Sequence, residues 1–342
     1  MKNEEQFNKL IQEYLNAPYS VELANNFFSD LHWVDDRIFS KKRFSLQVED
    51  IGKMWGKFRG INYEFIDEEQ QMKLNSFENF RNDLYRKSLQ LINYFHEATH
   101  EKQRDRYLLN NDKELGEEDP YQRLMNLEIF CNKEAEVCNY EQRLIEIDAI
   151  YNSIFEFKKL LDNGVLPTKE ETLSVVLYAC VRYFASINGE KHHVYYPKEF
   201  SVKSDNLVGY YKNFYKNLTV SYNNREETLN EIVASSDLCS AMKRDIKDID
   251  FGKIEEVLDQ KTMEVYETME TLYGELLKVY KPSKAMLDFF RISSDEWEDK
   301  INANNMIRMS ALINDDIHNS FSDKTTNKIG LSQKLKEDEM GM

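Results

Sequence analysis

Cysteine, proline and glycine are all scarce in this chain, with 4, 5 and 11 residues among 342. Cys131, Cys138, Cys180 and Cys239 form no CxxC pair, which argues against a disulfide framework and fits reduced thiols in a cytoplasmic protein. Cys131 and Cys138 stand two helical turns apart, as residues sharing a buried face do. So few glycines and prolines leave too few tight turns for a β-sandwich or barrel. No run of 18 apolar residues occurs, and Met1-Lys2-Asn3-Glu4-Glu5 lacks the apolar core of an export signal, so neither a membrane span nor secretion is expected. Without a secretory signal, the sequon Asn217-Leu218-Thr219 carries little weight. Positive charge is in deficit as well: 45 Lys and Arg against 61 Asp and Glu leave a formal charge of −16, which makes nucleic-acid phosphate an unsuitable partner.

What the chain does have is a 41% hydrophobic and 13% aromatic content, enough to bury sizeable cores. The pattern predicts a mainly α fold with a small β-sheet. Phe7, Leu10, Ile11, Tyr14 and Leu15 recur at helical spacing before Pro18, and then Phe44 to Val48 and Ile61 to Asp67 alternate as strands do. A Pro- and Gly-free run from Ser76 to Tyr107 reads as one long helix, and Tyr121 to Leu161 as a second, stopped by Asp162-Asn163-Gly164. Glu170 to Ile187 makes a third, strongly apolar helix. Residues 1–187 are expected to form one domain, 188–224 an irregular linker or lid, 225–318 a helical C-terminal domain, and 319–342 a disordered tail. Within 225–318, helices are predicted over Glu226 to Ile249 and Ile254 to Tyr280.

Inside the first long helix lies His96-Glu97-Ala98-Thr99-His100, an HExxH sequence. Residues four apart sit one turn above each other, so two imidazoles can converge on one metal ion. Glu97 lies about 100° round the helix, beside the open coordination position, where it can act as general base and then general acid on a water the metal activates. Zn2+ is the metal this motif implies. Two histidines four apart also occur as satisfied core residues, but Tyr85, Leu89, Ile92, His96 and His100 fall within about 60° of one another, so the pair prolongs an apolar stripe. Buried imidazoles need partners.

A catalytic zinc takes three protein ligands plus water. A third histidine soon after the second is excluded, because Gln103 and Arg106 stand where Gly and His would be needed. The second long helix offers Glu134, Glu136, Glu141 and Glu146. Glu146 is the best of these, since it is embedded among Leu144, Ile145, Ile147 and Ile150, where an uncompensated carboxylate is costly. Ala149, on nearly the same face, permits a close helix approach, whereas Asp148 lies about 200° from Glu146 and is expected to stay outside the site.

His96-Glu97-Ala98-Thr99-His100 with Gln103, followed by Glu146-Ile147-Asp148-Ala149, resembles gluzincin-type metallopeptidases, especially helical bacterial and phage-borne sequences with a later E-x-D-A segment. The resemblance spans residues 60–155 and departs from several gluzincin groups in having Ala149 and Ile150 where an Asp would follow the ligand Glu. It implies a zincin-like HExxH helix packed on a second helix, with His96, His100 and Glu146 as zinc ligands, Glu97 as the catalytic group, and a peptide or protein as substrate. A strand shortly before the HExxH helix would offer its edge to substrate backbone. His192, His193, Tyr195, Tyr196 and Tyr107 are candidate oxyanion donors. His32 and His318 lack a ligand-like setting.

Two functions follow as expectations. The first is a cytoplasmic zinc metallopeptidase, its C-terminal helices available to a protein partner. The alternative is a noncatalytic helical interaction module whose HExxH is structural or fortuitous.

Overall fold

The computed structural model describes residues 3–35, 44–52, 56–59, 70–110, 121–122, 125, 143–187, 219–222, 225–228, 250–302 and 304–322. The architecture among them is mainly α with a small β-sheet. Helix α1 (Glu4–Asn16) buries Phe7, Ile11 and Tyr14 on one stripe and stops where Ala17, ahead of Pro18, turns extended. Helix α2 (Val21–Val34), which the sequence patterning did not announce, starts at Ser20, whose side chain accepts from the Leu23 amide.

Three strands follow: β1 (Phe44–Glu49), β2 (Gly56–Arg59) and β3 (Gln70–Asn75). Their order is β1-β3-β2, with β1 parallel and β2 antiparallel to the central β3. The strand expected at Ile61 to Asp67 lies outside the described residues. The Asn25 side chain of α2 pairs with both backbone groups of Val48, so β1 is tied to α2 along one edge of the sheet. Strand β2 forms the opposite edge and lies against the next helix.

That helix, α3 (Asp83–Asn110), carries HExxH. Asn82 caps it by accepting from the Tyr85 amide at 2.9 Å. From Tyr85 to Thr99 it is buried on most of its circumference: Tyr85, Leu89, Leu91, Tyr94, Phe95 and Ala98 are buried, and so are Lys87, Gln90, Asn93 and Thr99. Each of these polar side chains has backbone or side-chain partners. Lys87 Nζ donates to the Leu15 carbonyl of α1 and to the Ala17 carbonyl just beyond its end, and Gln90 accepts from Tyr14 Oη while donating to the Asn75 carbonyl. Together they hold α3 in register with α1 and with the end of β3.

Helix α4 (Leu144–Asp162) packs along α3, and Ala149, fully buried, lies in its apolar face. The single helix expected from Tyr121 onward is corrected here. Arg143 is extended (φ −69°, ψ 142°), so a new helix begins at Leu144 and Glu146 stands in its first turn. The far end matches its stop signal. Gly164 adopts φ +66°, the left-handed conformation that ends a helix without a Cβ penalty, and the Val165 amide returns to the Leu160 carbonyl.

Helix α5 (Glu170–Ile187) packs on both α3 and α4. A hairpin of β4 (Thr219–Tyr222) and β5 (Arg225–Thr228) replaces the start of the helix predicted from Glu226; the remainder of that prediction lies outside the described residues. Helix α6 (Phe251–Val279) is capped by Asp250 and lies across α5, touching α4. Then come α7 (Lys284–Phe290), a 3-10 turn, α8 (Trp297–Asn302) and α9 (Met306–Phe321). Helix α9 also packs on α5, and its end is pinned to the entry of α3 by the Arg81 amide donating to the Phe321 carbonyl. One hydrophobic core runs continuously from α1 through α9. Among the described residues, no helix is long and apolar enough to cross a membrane.

Candidate metal centre

Helix α3 presents His96 and His100 one turn apart, and the first turn of α4 brings Glu146 up to both. The His96 and His100 Nε2 atoms are 3.2 Å apart. Glu146 straddles them, with Oε2 3.3 Å from His96 Nε2 and Oε1 3.4 Å from His100 Nε2. With one donor atom taken from each residue, all three lie within 4.8 Å of one another, and the group can hold a metal ion. The side chains of His100 and Glu146 are 4% exposed and that of His96 is 12% exposed, so the cluster is closed to bulk water except on the His96 side.

The geometry tests the fit of a metal directly. Donors about 2.05 Å from a tetrahedral centre are about 3.3 Å from each other. The 3.2 Å between the two imidazole nitrogens is close to that edge length, and each nitrogen lies at a similar distance, 3.3 and 3.4 Å, from a different oxygen of Glu146. One buried atom supports the same conclusion: Glu146 Oε1 makes no hydrogen bond among the described residues and faces His100 Nε2 at 3.4 Å. A buried carboxylate oxygen in that condition is costly unless a cation compensates it.

The electrostatics divide the three groups. For His100, burial acts against the charged form, but the Glu146 carboxylate and the charge of Glu97 prevail and raise the pKa to about 9. For His96, burial dominates, His100 and Arg182 add to it, and the pKa falls to about 4. Burial also opposes ionisation of Glu146, yet the two imidazoles hold it well below the ordinary carboxylate range. The result is a buried negative carboxylate between two rings, an arrangement in which a divalent cation can replace the proton carried by His100.

Gln103 orients this cluster. Its Nε2 donates to the Ile145 carbonyl at 3.0 Å and to Asp148 Oδ2 at 3.2 Å. Both are acceptors only, so the amide can be placed in one way, with Oε1 toward His100 Nδ1 at 3.0 Å. His100 Nδ1 therefore carries a proton, and its Nε2 is directed at the shared point. The expectation that Asp148 stays outside the site is thus corrected. Asp148 does not reach the metal face of α4, but Gln103, projecting from the neighbouring helix, bridges the angular gap that a count of degrees along α4 made prohibitive.

Glu97 is buried on α3 at 6% exposure, and its charge acts on His100. Facing it is Gly56 of the edge strand β2. A Cβ built on Gly56 would lie 2.6 Å from Glu97 Oε1 and 3.0 Å from Cγ, so any larger residue there would force the Glu97 side chain or the strand to shift. Sequence reasoning missed Gly56, although a glycine amid strand-forming residues is a signal of close backbone approach. His32 is buried against Glu101, with Nε2 and Oε2 2.9 Å apart, and His318 is half-buried against the Phe80 and Tyr85 rings, so neither joins the metal cluster. Glu134, Glu136, Glu141, His192, His193, Tyr195 and Tyr196 lie outside the described residues, as does the side chain of Tyr107.

No protein-family model matches this chain, and neither does any curated protein or solved structure.

Proposed function

We propose that the protein is a zinc-dependent metallopeptidase, with His96, His100 and Glu146 as the metal ligands and Glu97 as general base and then general acid. The observation that carries the reading is the convergence of the two imidazoles and one carboxylate: the His Nε2 atoms are 3.2 Å apart, each lies 3.3 or 3.4 Å from one of the two Glu146 oxygens, and one donor from each residue lies within 4.8 Å of the others, a set to which zinc would add water or substrate as its fourth ligand. Two imidazole nitrogens and one carboxylate suit zinc better than harder cations, which prefer oxygen alone. A zinc ion bound there would lower the pKa of its water and polarise a scissile carbonyl.

The chain's own residues do the rest. Glu97 takes the proton of the attacking water and delivers it to the leaving amine, helped by burial that keeps competing solvent away. Gln103 holds His100 in the tautomer whose Nε2 is free to ligate. Strand β2, at the edge of the sheet among the described residues and close to Glu97 at Gly56, supports the reading because an extended peptide pairing with that edge would lie one strand away from the general base.

The test is elemental analysis followed by proteolysis. About one zinc per chain should be found, and it should be lost on His96→Ala or Glu146→Ala. Cleavage of a mixed peptide library, followed by mass spectrometry, should disappear in Glu97→Gln while the zinc remains. Absence of zinc from the intact chain, or undiminished cleavage by Glu97→Gln, sinks the mechanism and favours a structural role for HExxH in a noncatalytic interaction protein.

A further inference from the structure

The hydrogen-bond chain that orients His100 does not end at Asp148. Asp148 is 7% exposed, and its Oδ2 serves Gln103. Its other oxygen, Oδ1, accepts from Lys261 Nζ at 3.2 Å, and Lys261 belongs to α6, 113 residues further along the chain. The lysine is itself held in place. Its Nζ sits 3.6 Å from the centroid of the Tyr151 ring, and Tyr151 Oη donates to Glu264, one turn further along α6. The side chain of Lys261 is 17% exposed, so its charge is largely shielded from solvent.

We propose that Lys261 is a positioning residue of the metal centre, acting through Asp148 and Gln103 on the orientation of His100. The physical reason is one of charge and direction. A carboxylate nearly buried two residues from Glu146 needs an opposite charge close by, and Lys261 supplies it without occupying the oxygen that faces Gln103. With Asp148 so held, both acceptors of the Gln103 amide are in place, the amide has one orientation, and His100 presents Nε2 to the metal. Because a neutral amide stands between Asp148 and His100, the chain transmits geometry rather than negative charge. Groups that orient a ligating histidine typically change metal affinity by about 10- to 100-fold when removed. Lys261 stands three hydrogen bonds from His100, so the lower end applies. The consequence for organisation is that α6, the long helix of the C-terminal half, forms part of the metal centre instead of merely packing beside it.

This inference rests on the metal-ligand reading, and its test separates the two. Full-length wild type, Lys261→Met and Lys261→Arg are stripped and titrated with zinc against a chromophoric chelator, and the cobalt(II)-loaded forms are compared by visible absorption. Lys261→Met keeps an apolar side chain of similar length and removes the cation that lies over Tyr151. It should bind zinc about 10-fold more weakly and shift the cobalt ligand-field bands. Lys261→Arg should restore both to near the wild type, which a loss of general packing would not do. Asp148→Asn should weaken zinc similarly, and the Lys261→Met/Asp148→Asn double variant should be no weaker than the worse single variant, since both act along one path. If Lys261→Met does not fold, Lys261→Gln carries the same expectation. Wild-type affinity and an unchanged cobalt spectrum in a folded Lys261→Met or Lys261→Gln would overturn the positioning role while leaving the metal site standing. A wild type that binds no zinc would overturn both.

Discussion

Replacing Gly56 by alanine tests whether the edge strand and Glu97, the proposed general base, are fitted to each other. No positive φ is involved, so alanine can adopt the backbone, and the question is one of space alone. The new methyl would lie 2.6 Å from Glu97 Oε1, 3.0 Å from Cγ and 3.1 Å from Cδ, against ordinary contacts of 3.4 Å or more. Something must therefore move by about 0.8 Å. Glu97, 6% exposed, has little room to swing, and lifting β2 instead would break the Gly56–Leu74 pairing at the end of the ladder. Overpacking of this kind costs about 1–3 kcal/mol, while removing a glycine from a strand returns about 0.5–1 kcal/mol, so the net loss of stability should be modest. The loss of activity should not be. A catalytic group misplaced by about 1 Å can cost about 100-fold, so kcat should fall about 10- to 100-fold with zinc content unchanged, because none of the three ligands lies on β2. The assay is zinc stoichiometry and steady-state cleavage on the same preparation, with a thermal melt as the control for folding. Full turnover by a folded, zinc-loaded Gly56→Ala would refute the fit between strand and base.

Three further outcomes are expected. Zinc at about 100 times its dissociation constant should stabilise the wild type by about 2.7 kcal/mol, raising its melting temperature, and should leave Glu146→Ala unmoved; equal shifts in both would show that the metal binds elsewhere. Burial lowers the pKa of His318 to about 4, so the folded state holds the ring neutral while the unfolded chain protonates near its ordinary 6.5. That contribution is complete above about pH 6.5 and is lost as pH falls toward 4, amounting to about 3 kcal/mol; urea unfolding should show this slope in wild type and not in His318→Phe, and parallel curves would contradict it. Asp316, 6% exposed, accepts from Tyr280 Oη at 2.6 Å, from the Ser283 amide at 3.0 Å and from the Ser283 hydroxyl, so Asp316→Ala should lose about 3 kcal/mol in denaturant unfolding; a change below about 1 kcal/mol would mean that water replaces the carboxylate at no cost.

Local pattern read well wherever one face of one element carried the information. Phe7, Ile11 and Tyr14 marked α1, Asp162-Asn163-Gly164 marked the end of α4, and Glu170 to Ile187 was bounded as found. It failed where partners lay far apart along the chain. Helix α2 went unannounced although Ala24, Phe27, Phe28, Leu31 and Val34 recur at helical spacing opposite the exposed Glu22, Asn26, Ser29 and Asp30, and strand pairing took Glu226 to Thr228 from the start of a predicted helix. Asp148 was rejected by its angle on one helix, although the residue that reaches it stands on another. Lys261, within the polar run Asp259-Gln260-Lys261, carries no mark distinguishing it from an ordinary surface lysine.

The sequence by itself determined the mainly helical class, the pairing of His96 with His100 one turn apart, the place of Glu97 beside them, and the choice of Glu146 from its apolar surroundings. Each of these depends on the helical period or on the cost of burying a charge, and both are properties of a short stretch of chain. Only the tertiary structure decided that Glu146 would straddle both imidazoles, that Gln103 and Asp148 would orient His100, that Gly56 would touch Glu97, and that Lys261 would close the chain from α6. Those are contacts between elements 40 to more than 100 residues apart, and packing, not periodicity, sets which side chains meet across such distances.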